Sequence, residues 1–184
     1  VELILKESIR INGKDGKEDT GSIDTTVQEK NITYPTDSKL HRKIIKKCHA
    51  IADKEGLDLR QSYSRTLKRL GIDQRFRKHP RNGQKARRAD RKVKTIAGRL
   101  VRELGRKLAP KQYADELALF SRVLKQRKQD KNKVYSLHEP DVKCISKGKE
   151  HKKYEFGSKV SITITRNSEV IIKTLNIPSN DYNG

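Results

Sequence analysis

The chain has 184 residues, of which 36% are charged, 32% hydrophobic and 5% aromatic; 44 Lys and Arg against 23 Asp and Glu give a formal net charge of +21. That length suits one ordinary domain with room for an inserted lobe, while the apolar content is small for a large independent core and borders on that of disordered chains. The charge excess calls for a polyanionic partner, most often nucleic acid, and no apolar run approaches the roughly 20 residues of a membrane-spanning helix.

In chain order, residues 1–20 read as a short apolar start, without the features of a signal peptide, followed by a polar Gly-rich loop. "SIDTTV", residues 22–27, is dense in β-branched residues and predicts a strand. Tyr34-Pro35 breaks it, and "PTDS" offers Asp37 or Ser38 as a helix cap. Leu40, Ile44, Ile45, Cys48, Ile51 and Ala52 then recur at helical spacing, with Gly56 as a natural stop. Asp58 is placed to cap a second helix carrying Tyr63, Leu67 and Leu70 up to Gly71. "RKHPRNGQ" reads as a loop, with Pro80 and Gly83 as breakers.

A third helix is expected over 84–108, with Val93, Ala97, Leu100, Leu104 and Leu108 on its apolar face. Pro110 fits the first turn of a fourth helix, which would turn Tyr113, Leu117, Phe120 and Leu124 inward. From Lys131 the period changes to two. "KVYSLH" and "YEFGSKVSITITRNSEVIIKTLNI" alternate apolar and polar, with "RNS" at the turn of an antiparallel hairpin. Val160, Ile162 and Ile164 then share one face, and Ser161, Thr163 and Thr165 the other. The expected class is therefore α+β (mixed α/β), in three parts: 1–37, a basic helical insertion at 38–129, and antiparallel strands at 130–184. An early strand with no partner before residue 131 packs most simply beside the late hairpin.

Charge is concentrated in the helices. From Arg60 to Lys111 there are 19 Lys and Arg against three acids, Asp73, Asp90 and Glu103, a net +16. Arg88, Lys92, Arg99, Arg102 and Arg106 form one stripe of the third helix, flanked by Arg87 and Arg91. Like charges at i, i+4 repel by a few tenths of a kcal/mol per pair, so phosphate is the natural counter-charge. Lys147 and Lys149 of "KGK" join these as DNA-contact candidates. Contacts of this kind are salt-dependent and largely blind to sequence.

Cys48 and Cys144 lie far apart and outside any CxxC pair, which favours free thiols. His41, His49, His138 and His151 combine with them in no zinc-ligand spacing. Asp24 is different. By itself it reads as a turn or cap residue; a carboxylate leaving a strand beside a phosphate-binding lobe would instead hold Mg²⁺. Such a site needs partners, and Glu29, Asp37, Glu139, Asp141, Glu155 and Asp181 are the candidates.

"DTTVQEKNITYPTDSKL", "DKNKVYSLHEPDVKCISKGKEHKKYEFGSKVSI" and the closing "IPSNDYNG" resemble the DDE-type transposases of bacterial insertion sequences, in the insertion-sequence-five family. The resemblance runs over most of the chain from Ile23. It implies an RNase-H-like fold, present here in part, with Asp24 at the position of the first catalytic, metal-binding aspartate. It also implies Mg²⁺ or Mn²⁺ as cofactor and metal-dependent strand cleavage and transfer. Element ends and target DNA are the implied partners, with a homo-oligomer on DNA and a cytoplasmic, nucleoid-associated location. The closing motif departs from the family's Pro-Gly-Asn-Pro-Tyr-Asp-Gly pattern at Ser179, Asp181 and Asn183. The second aspartate and final glutamate of the triad are expected beyond Gly184. With no methionine and Val1 at its start, the chain reads as a piece of a longer frame, inactive alone. The competing readings are a basic nucleic-acid-binding structural protein of ribosomal type and a DNA-binding regulator made from a transposase remnant.

Overall fold

A computed structural model describes residues 2–12, 20–146 and 153–177. They divide into two compact units: one combines the chain's ends, Val1–Ile32 and Asp141–Gly184, and the other is Thr33–Pro140. Helices and an antiparallel sheet together give a mixed α+β chain. Among the described residues no helix is long and apolar enough to cross a membrane.

The unit Thr33–Pro140 contains helices α2 (Asp37–Lys54), α3 (Ser64–Asp73), α4 (Gly83–Lys107) and α5 (Ala114–Lys125). α2 starts at Asp37, and its cap is Thr36, one residue before the first of the two expected caps: the Thr36 hydroxyl accepts the Lys39 N–H at 3.3 Å. Asp37 therefore occupies the first turn, where a carboxylate favours the positive end of the helix dipole. Gly56, at φ +62, ends α2 as expected. Its N–H bonds the Asp53 carbonyl and Leu57 N–H bonds that of Ala52, the reciprocal pair that closes a helix on a left-handed glycine. α3 begins later than expected: Tyr63, in the left-handed region at φ 55, precedes it, and Asp58 lies five residues upstream in the loop. Pro110 likewise falls in a turn, since α5 begins only at Ala114 after a left-handed Tyr113.

The apolar periodicities meet in one core. Leu40, Ile44, Ile45, Cys48, Ile51 and Ala52 of α2 pack with Val93, Ala97, Leu100 and Leu104 of α4, and Leu70 and Phe120 join from α3 and α5. α4 touches the other three helices, which is why its apolar face is buried along its whole length. "KVYSLH" corrects the sequence reading, because residues 133–138 form no strand. Val134 and Leu137 are buried in the helical core. The Gln126 side-chain amide takes the place of a sheet partner, accepting the Val134 N–H at 3.1 Å and donating to its carbonyl at 3.3 Å. Alternation alone does not distinguish those two ways of satisfying an extended backbone.

The other unit holds α1 (Glu2–Ile11) and strands β1 (Gly21–Glu29), β2 (Lys143–Ser146), β3 (Tyr154–Thr165) and β4 (Ile171–Ile177). The apolar start of the chain is thus a helix, in contact with β4. β3 is central. It pairs antiparallel with β1 from Gly157 to Thr165, and β2 and β4 share its other edge. The expected pairing of the early strand with the late hairpin is therefore present, and the turn falls at Arg166–Ser168. Thr165 fastens that turn by accepting the Val170 N–H at 2.8 Å. Gly157 is required where β1 crosses β3, since a Cβ there would collide with the Gln28 carbonyl.

Candidate nucleic-acid interface

The register of the sheet places Asp24. It pairs with Ile162, four residues into the nine-residue β1, and is exposed. The strand therefore continues for five residues past Asp24, so the expectation of a carboxylate leaving the strand is corrected. Side chains alternate between faces, so Ser22, Thr26 and Gln28 share the face of Asp24, with Val160, Ile162 and Ile164 beside them on β3. Glu29, opposite Gly157, and Glu155 belong to the other face by the same alternation. Asp37 lies on α2, where Lys133 approaches it at 3.4 Å. Asp181 lies outside the described residues. Among those described, no three His, Cys, Asp or Glu side chains are grouped to hold a metal ion. The residues around Asp24 thus do not by themselves fit a Mg²⁺ or Mn²⁺ site.

Among the described residues the thiols and imidazoles form no such group either, and His151 lies outside them. Cys48 is buried in the helical core, and burial, with a smaller effect of the Glu116 charge, pushes its pKa up to about 12. That keeps it a thiol. His41 is also buried, and its Nδ1 has no hydrogen-bond partner.

α4 carries the opposite kind of site. Its apolar face is spent on the core, which leaves Arg87, Arg88, Arg91, Lys92, Arg99, Arg102 and Arg106 exposed on the remaining surface. All three acids of the basic segment are engaged elsewhere. Asp90 bonds Arg77 at 2.9 Å and the Gln74 amide at 2.6 Å, Asp73 pairs with Lys85 at 3.0 Å, and Glu103 pairs with Lys107 at 3.0 Å. Among the described residues, none of the seven cations has an ion pair. Arg88 with Lys92 and Arg102 with Arg106 lie one turn apart, where like charges repel by about 0.2–0.5 kcal/mol per pair. Lys147 and Lys149 lie outside the described residues.

Two concavities divide this face. Towards the start of α4, Arg88 and Lys92 line a groove with Arg69 and Asp73 of α3 and with Lys85. Towards its end, Arg99, Arg102 and Arg106 face Arg60 and Tyr63 across a cavity of about 500 Å³. The loop bearing Arg60 is held from both sides. Leu57, Leu59 and Tyr63 pack on the core, and Glu103 accepts the Arg60 backbone N–H at 2.8 Å. Lys107 donates to the Asp58 carbonyl and to Glu103. The Arg60 N–H, and secondarily Lys107, hold the Glu103 pKa below its ordinary value. Gly98 leaves room for Arg102, whose Nη1 would stand 3.3 Å from a Cβ there.

The periodicity of α4 made its seven cations legible in the sequence. Arg60, Tyr63 and Arg69 carried no such signal, because they reach the same face from other segments. No family model matches the chain, and no solved structure matches it. A Rhizobium meliloti protein described as "Uncharacterized protein ORF8 in nfe locus" is 45% identical over 60 residues, which is 33% of this chain and 29% of that protein.

Proposed function

We propose that the helical unit binds nucleic acid, DNA in particular, through the exposed face of α4. One observation carries this reading: seven cations stand on a single helical face without an acid partner among the described residues, while every acid of the segment is bonded to other groups. A solvated face normally intersperses both signs of charge. A face of one sign is instead complementary to phosphate, with binding driven by counterion release. The resemblance to DDE-type transposases makes DNA the favoured polyanion. On that reading the sheet bearing Asp24 is part of an RNase-H-like core, and this chain supplies DNA grip for a larger catalytic assembly. Strand cleavage and transfer then belong to the complete enzyme, because the described carboxylates form no metal-binding group. A non-catalytic nucleic-acid-binding protein would use the same interface.

Fluorescence anisotropy with a labelled 30-base-pair duplex tests the interface. If about five phosphates are neutralised, affinity falls roughly 500-fold between 50 and 200 mM salt, from a slope of about −0.9 per phosphate. Replacing Arg88, Lys92, Arg99, Arg102 and Arg106 by glutamine should flatten that slope. An unchanged slope refutes the assignment.

A further inference from the structure

The two concavities on the α4 face differ in construction. The groove at the start of α4 includes Asp73, whose carboxylate pairs with the neighbouring Lys85. The cavity at its end is lined by arginines from two segments: Arg99, Arg102 and Arg106 from α4, and Arg60 from the loop before α3. Its one carboxylate, Glu103, bonds the Arg60 backbone and Lys107, not the arginine side chains. Four guanidiniums against one carboxylate give the cavity walls a net charge of +3.

We propose that this cavity is a site for a phosphate monoester carried by a nucleoside, such as the phosphorylated end of a strand. The proposal rests on the nucleic-acid reading above and adds a ligand class to it.

First, Arg99, Arg102 and Arg106 lie at i, i+3 and i+7, so they track one side of α4 over roughly 10 Å, and Arg60 faces them from a separate segment. Guanidiniums from two segments enclose an anion, whereas a duplex backbone presents a convex surface better matched by an open stripe. Second, a monoester carries close to two negative charges at neutral pH and a backbone diester one, so a concentrated +3 favours the monoester. Third, Tyr63 lines the same cavity, and aromatic faces stack bases irrespective of sequence. Its left-handed backbone, at φ 55, is sparsely populated for a residue with a bulky side chain, and such conformations cluster at ligand sites. A volume of about 500 Å³ lies within the range of small-molecule sites.

Glu103 is the positioning residue. By holding the Arg60 N–H it fixes the loop wall opposite α4 before any ligand arrives, which lowers the ordering cost of binding.

The test compares 12-nucleotide single strands labelled at the 3′ end and carrying either a 5′-phosphate or a 5′-hydroxyl. The wild-type chain should bind the phosphorylated strand at least tenfold more tightly. Arg60→Gln should remove that preference while lowering the duplex salt slope by no more than one phosphate. Adenosine monophosphate and inorganic phosphate serve as competitors. Competition by the nucleotide at concentrations far below those needed for inorganic phosphate supports a nucleoside-bearing monoester, and displacement needing a strand end identifies DNA as its source. Equal affinity for the two strands, with duplex binding intact, overturns the cavity assignment and leaves the α4 interface standing. Failure to bind any DNA overturns both.

Discussion

His41 makes the stability of the helical unit depend on pH in a way that one substitution removes. It sits on α2, 5% exposed, with Nδ1 buried and unpartnered. Burial lowers its pKa to about 4, and the Lys94 charge acts in the same direction; Asp37 and Asp90 oppose them more weakly. An unfolded imidazole titrates near 6.5. Between these values the unfolded chain binds the extra proton. The stability associated with neutral His41 is therefore fully present above pH 6.5 and is lost as the pH falls towards 4. At pH 4.5 the loss from this group is roughly 2.5 kcal/mol. His41→Leu keeps a similar volume, removes the titration, and deletes a buried polar atom whose lack of a partner costs about 1–3 kcal/mol. The variant should match or exceed the wild type at pH 7.5. Urea unfolding of both proteins at pH 7.5 and 4.5 measures the effect, and carboxylate titration cancels in the comparison. The wild type should lose roughly 2.5 kcal/mol more than the variant. Equal losses would show that His41 is not held neutral by burial.

Leu100→Ala removes a side chain with no exposed surface from the centre of α4 and should cost about 3–4 kcal/mol in urea unfolding; a loss below 1 kcal/mol would mean that α4 does not nucleate this core. Gly105→Ala meets no atom within 4 Å and should raise stability by about 1 kcal/mol through helix propensity, whereas Gly98→Ala should gain less because Arg102 must move. Asp24→Asn should leave both the melting temperature and duplex affinity unchanged, since the side chain is exposed on the sheet; a shift of more than a few degrees would reveal a structural role. With Mg²⁺ or Mn²⁺ the wild-type chain should leave labelled duplex intact, and cleavage above a heat-inactivated control would contradict the reading of Asp24 as an incomplete site.

Much of the helical unit was legible because a 3.6-residue period is a local property. Leu40 to Ala52 and Val93 to Leu108 each announced a buried face, and on α4 that same period assigned the cations to the remaining surface. The β1–β3 pairing could also be inferred, since a β-branched strand early in the chain needs a partner with matching alternation. Helix starts were harder. Thr36, Asp37 and Ser38 are all competent caps, and the choice falls to whichever backbone leaves the helix at the right angle. "KVYSLH" has the period of a strand, but it became an extended segment of the helical core because Gln126 supplied its hydrogen bonds.

The sites divide along the same line. Net charge, its concentration between Arg60 and Lys111, and the stripe of α4 follow from composition and spacing alone. Only the tertiary structure decided that Arg60 and Tyr63 face Arg99, Arg102 and Arg106, and that Glu103 spends its carboxylate on a backbone N–H 43 residues away. The sheet register likewise set Asp24 apart from Glu29 and Glu155, because a strand turns alternate side chains to opposite faces. A period within one element fixes which face a residue occupies; which residues from other elements meet it there depends on packing that no single segment encodes.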